Sequence, residues 1–166
     1  PYTAICRKLT MTKAKLYIFT ALLTLCLGAC APGQNDFCEF RQLPEKGWAY
    51  GDTLCFTPLF ADSTLSAIPV IALRHNNAYP YSNLWLELSR TGADSTSVIC
   101  DTVNVRLADI YGRWEGHGFG ASYQFTDTLS TVAPVSNRQT ITVRHIMRVD
   151  TLHDIEQIGI LFVSTE

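Results

Sequence analysis

The side chains able to bind metal or act as nucleophiles are scattered along this chain. His75, His117, His145 and His153 show no HxH or HExxH spacing, and no carboxylate cluster accompanies them. A zinc or other transition-metal site needs such convergent ligands, so no metal is expected. His145 shares an apolar face with Ile141, Val143 and Met147, where a hydrogen-bonded core histidine is the expectation. No nucleophile elbow raises a serine on a sharp strand-to-helix turn, and no enzyme activity is expected. Gly116-His117-Gly118-Phe119-Gly120 has the glycines of a phosphate cradle, but such a cradle works at a helix N-terminus. Here Ala-Ser-Tyr-Gln-Phe follows, which reads as strand. The glycines are therefore expected to permit a sharp connection or a strand bend, and no cofactor is expected.

The aromatic residues offer a different chemistry. Tyr79, Tyr81, Trp85 and Trp114 form a possible binding surface, because Trp and Tyr bring large contact area with a polar handle for sugar rings or a protein partner. The competing expectation is that they fill the joint between two sheets or close its ends. The formal net charge is −2, with 17% charged residues. That balance supplies neither a basic footprint nor an acidic tail, and no nucleic-acid partner is expected.

Cys30 carries the one local motif with defined chemistry. Leu27-Gly28-Ala29-Cys30 resembles the bacterial lipobox, at which a signal peptidase cuts before a cysteine that then carries acyl chains such as palmitate. Lys13 and Lys15 provide a positive n-region, and Leu16 to Leu27 a short apolar h-region. About a dozen apolar residues are too few for a transmembrane helix, which needs roughly 20. The expected organisation is residues 1–10 as read-through or upstream fragment ahead of Met11, 11–29 as lipoprotein signal peptide, 30–36 as lipidated tether, and 37–166 as one folded domain. Two or more acyl chains hold a protein stably on a membrane. Ala31 in place of Asp, by the enteric sorting rule, directs the expectation to the outer membrane. Removal of the leader and acylation of Cys30 would leave Cys38, Cys55 and Cys100. Three thiols make at most one bridge, and neither its presence nor its pair follows from spacing.

The domain that must position these groups reads as a series of short strands. Trp48 to Phe56 is a first strand region, interrupted at Gly51-Asp52. Val70 to His75 follows, introduced by Pro69. In Asn83 to Ser89, Leu84, Leu86 and Leu88 share one face and Trp85 and Glu87 the other. After a turn at Thr91 to Asp94, Val98 to Leu107 alternates again. Ala121 to Phe125, Thr140 to Val149 and an apolar Ile158 to Val163 complete the order. Short strands at this spacing, with no helical run to cover a parallel sheet, predict an all-β domain, an antiparallel β-sandwich of jelly-roll or immunoglobulin-like type.

Longer segments carry a family resemblance. Leu43-Pro44 with Trp48, Asp52-Thr53-Leu54-Cys55-Phe56, Tyr79-Pro80-Tyr81-Ser82-Asn83-Leu84-Trp85-Leu86, Asp101-Thr102, Leu107-Ala108-Asp109, Gly112-Arg113-Trp114-Glu115-Gly116-His117-Gly118 and His145-Ile146-Met147-Arg148 resemble the GldH family of gliding motility-associated lipoproteins. The resemblance implies a membrane-anchored accessory protein of the gliding and type IX secretion machinery. It acts on envelope proteins by binding, without enzymatic activity or cofactor. It brings no residue-level mechanism. The alternative expectation is a surface lipoprotein that captures glycans through exposed Trp and Tyr residues.

Overall fold

The computed structural model describes residues 37–92 and 96–164. The signal peptide, Cys30 and its tether, and Ala93 and Asp94 of the expected turn lie outside the described residues. Those residues form twelve strands and no helix: β1 (Phe37–Gln42), β2 (Trp48–Ala49), β3 (Leu54–Phe56), β4 (Ser66–Asn76), β5 (Asn83–Thr91), β6 (Val98–Arg106), β7 (His117–Phe119), β8 (Ser122–Thr128), β9 (Val135–Ser136), β10 (Ile141–His145), β11 (Thr151–Leu152) and β12 (Ile155–Ser164).

One sheet has the order β1-β12-β4-β8-β7, with β9 also pairing β4; the other has the order β3-β10-β5-β6. All of their pairings are antiparallel. The alternation in the sequence explains why two sheets close on one core. Leu84, Leu86 and Leu88 of β5, Val103 and Val105 of β6, and Ile141 and Val143 of β10 are buried. They join Ile71 and Leu73 of β4 and Ile158, Ile160 and Phe162 of β12 in a single hydrophobic cluster. Each such side chain withdrawn from water contributes about 1.5–3 kcal/mol before the cost of ordering the chain. The fold is the antiparallel β-sandwich expected.

Several boundaries differ from expectation. Trp48 to Phe56 splits at Gly51-Asp52 into β2 and β3, and β2 pairs with β11 in a separate two-stranded ribbon. β1 was not anticipated, because Phe-Cys-Glu-Phe-Arg-Gln lies at a sheet edge and exposes most of its residues, so it lacks a marked polar-apolar alternation. Pro69 does not introduce β4 but stands inside it, opposite Phe162. Its carbonyl accepts from Leu129 N–H at 3.0 Å, and its nitrogen faces the same side, where β8 has ended at Thr128 and β9 has not begun. The missing N–H therefore costs no ladder bond. Part of the glycine-rich segment is itself a strand, β7, hairpinned onto β8.

The run expected from Thr140 to Val149 pairs only over Ile141–His145. Ile146 N–H still donates to Trp85 O at 2.9 Å. Trp85 N–H, however, meets Met147 Sδ at 3.3 Å, and Val149 N–H turns back to Met147 O at 2.9 Å. The strand peels from its neighbour there, opening a notch beside Trp85.

Candidate binding surfaces

The four aromatic residues singled out in the sequence separate into two roles. Tyr79 is 3% exposed, and its hydroxyl donates to Asn83 O at 3.0 Å. Burial pushes its phenol pKa up. It is thus an interior residue, not part of a surface: its ring lies 5.8 Å from that of buried His75 and 5.6 Å from that of Tyr81. Trp114 is half-buried in the same group. Its ring meets His75 at 4.5 Å, and Nε1–H donates to Asn77 Oδ1 at 2.9 Å. Tyr123 stacks on His75 at 5.7 Å with an interplanar angle of 15° and meets Trp114 at 6.1 Å in a tilted contact. These residues close one end of the sandwich.

Tyr81 and Trp85 do come together. They line a groove of about 520 Å³ with Ile146, Met147, Arg148 and Val149, at the notch where β10 leaves β5. Trp85 remains 40% exposed because it points away from the leucines of its strand. Further along this outer face, Arg144 makes a bidentate contact with Glu87 at 2.7 and 3.0 Å. The guanidinium hydrogen bonds hold the Glu87 carboxyl below its ordinary pKa.

His145 is a core residue as expected. Its Nε2–H donates to Trp48 O at 3.0 Å, and its ring packs edge-on against Trp48 at 5.2 Å. Desolvation lowers its pKa and that of His75, so both imidazoles are held neutral. Among the described residues no His, Cys, Asp or Glu cluster is arranged to hold a metal. Cys38, Cys55 and Cys100 are free and exposed. Cys55 on β3 and Cys100 on β6 occupy opposite edges of the four-stranded sheet. Three strand spacings, about 14 Å, exceed disulfide reach.

The feature that sequence reasoning missed is the Asp109–Arg113 turn between β6 and β7. Asp109 Oδ1 accepts from Tyr111 N–H at 2.8 Å and Arg113 N–H at 2.9 Å, while Oδ2 pairs with Arg113 Nε at 2.8 Å. Donation from the Arg113 backbone, with the other bonds, lowers the Asp109 pKa. Asp109 N–H donates to Arg113 O at 2.9 Å, and Gly112, at φ 77°, donates to Asp109 O at 3.0 Å. This braced turn holds Ile110 at 89% and Tyr111 at 77% exposure, with the Arg113 guanidinium 5.4 Å from the Tyr111 ring centre. Asp at the first position of a tight turn and Gly at its left-handed position were signals in the sequence.

Two antiparallel sheets around one core, with aromatic and loop-built surface features, define the class as a β-sandwich domain. The family model described as GldH lipoprotein matches residues 36–161. The chain belongs to the GldH lipoprotein family, membrane-anchored lipoproteins of the cell envelope associated with gliding motility. A search of curated proteins returns no match. Solved structures with a similar arrangement include that of tomato aspermy virus, at 12% identity and TM-score 0.39, covering 82% of this chain and 80% of that one. A Bacillus thuringiensis Cry1Da tryptic core variant matches at 11% identity and TM-score 0.40, over 72% of this chain but 18% of that one. The non-crystalline cellulose specific carbohydrate-binding module CBM28 matches at 10% identity and TM-score 0.42, covering 82% of this chain and 78% of that one. Identities and scores this low give these likenesses no bearing on a ligand or partner here.

Proposed function

We propose that this lipoprotein acts without catalysis, held at the outer membrane by acylated Cys30, and docks a protein of the gliding and type IX secretion machinery through the Ile110-Tyr111 tip. The observation carrying this reading is the tip itself: two large apolar side chains kept in water by a turn with five internal polar contacts around Asp109. A preformed protrusion loses little entropy on binding, and Tyr and Arg are frequent anchors of interfaces. The partner's chemistry follows: an apolar pocket able to receive Ile110 and Tyr111, with an acceptor near Arg113.

The tip also lies far from Phe37, the first described residue. Phe37 pairs with Phe162 at one end of β12, whereas Ile155 at the other end pairs with His75. That stretch of strand spans roughly 20 Å. The tip belongs to the His75 end, because Leu107 N–H donates to Ser82 O at 2.8 Å and Trp114 reaches Asn77. Such placement separates the tip from the end of the sandwich where β1 begins.

The double variant Ile110→Asp, Tyr111→Asp tests this. Both side chains are exposed, so the variant is expected to fold, to remain membrane-bound, and to fail to restore gliding or type IX cargo secretion in a deletion strain. Full complementation by that variant would overturn the docking role.

A further inference from the structure

We infer that the groove between Tyr81 and Trp85 is a second, independent binding site, and that its ligand is a glycan bearing an acidic group. The groove arises where β10 leaves β5, and Met147, only 8% exposed, is buried against it. Trp85 and Tyr81 supply aromatic surface, and Ile146 and Val149 apolar edges. Asn104 stands directly across from Trp85 on the neighbouring strand. Its Oδ1 accepts from Asn83 Nδ2 at 2.7 Å, a hydrogen bond between the side chains beside Trp85 on the side of β5 away from the groove. Arg148 lines the groove and is exposed. Among the described residues no carboxylate pairs with it, whereas Arg90, Arg106, Arg113 and Arg144 each have an acidic partner.

The chemistry selects among ligands. A peptide added as a strand needs a free run of backbone donors and acceptors. None is offered at Trp85, whose carbonyl takes Ile146 N–H at 2.9 Å and whose N–H is turned to Met147 Sδ. Aromatic surface suits the apolar face of a pyranose ring, and an unpaired guanidinium suits a carboxylate, sulfate or phosphate substituent. The site is a few strands removed from the Ile110-Tyr111 turn in sequence and requires none of its residues.

Full-length protein purified in detergent and applied to an array of uronate-, sulfate- and phosphate-bearing oligosaccharides, with their neutral counterparts, provides the test. Binding is expected on acid-bearing members. It should be lost in Trp85→Ala, kept in part by Trp85→Phe, and weakened about tenfold in Arg148→Gln, as for loss of one charge-assisted hydrogen bond. A thermal midpoint equal to that of the parent establishes that Trp85→Ala is folded. Absence of binding to every acid-bearing member, equal binding to the neutral counterparts, or binding by folded Trp85→Ala at parental strength would each overturn the assignment.

Discussion

At the residue scale, the two buried histidines tie stability to pH. His75 donates from Nδ1 to Asn76 O at 3.0 Å and His145 from Nε2 to Trp48 O at 3.0 Å, while His75 Nε2 and His145 Nδ1 are buried without a partner. Around His75 stand Tyr79, Trp114 and Tyr123, with Glu156 the charge acting on it; around His145 stand Trp48 and Tyr50, with Asp52. Loss of hydration outweighs those carboxylates and lowers both pKa values below the ordinary 6.5. Above that pH both rings are neutral whether the chain is folded or unfolded, and stability is full. As pH falls below 6.5 the unfolded chain takes up protons that the folded chain refuses, so stability drops until the lower folded values are passed. Thermal unfolding between pH 7 and 5 should show a falling midpoint, with a shallower slope in His145→Gln. A midpoint that is flat or rises toward pH 5 would contradict this account. The histidine's core role was legible from its place among Ile141, Val143 and Met147; its carbonyl partner on Trp48, far away in sequence, was not.

At the element scale, strands facing the core were the legible ones. β5 and β6 carry a regular alternation because one face meets leucine and valine and the other meets water. Edge elements were not, since β1 and β7 have no buried face strong enough to imprint a period. The end of β10 was also hidden: Met147 and Val149 continue the apolar alternation, but a sulfur takes the place of a backbone acceptor and the ladder stops. The Asp109 turn is the element on which the docking reading depends. Asp109→Ala removes the acceptor of two backbone N–H groups and the partner of Arg113. Amide exchange at Tyr111 and Arg113 should accelerate while the amides of β5 and β12 keep their protection, because the turn is exposed and separate from the core. Unchanged exchange at Tyr111 would show that the brace is not what holds the tip.

For the whole molecule, anchoring and folding are expected to be separable. The sandwich has its own single core, and Cys30 lies outside it in sequence, so Cys30→Ala is expected to yield a folded, soluble domain that fails to complement a deletion. Full complementation by that soluble form would remove the need for the anchor. The sequence by itself determined the class of fold and the family, because each is written in local order: alternation of period two, and contiguous segments such as Tyr79 to Leu86 and Gly112 to Gly118. Only the tertiary structure decided which aromatics are available. Tyr79 and Tyr81 are two residues apart, yet one is sealed under the end of the sandwich and the other lines a groove with Trp85 and Arg148. That outcome depends on how β10 departs from β5 and how the Trp114 loop covers His75. Contacts between segments so distant in the chain leave no trace in the spacing of either.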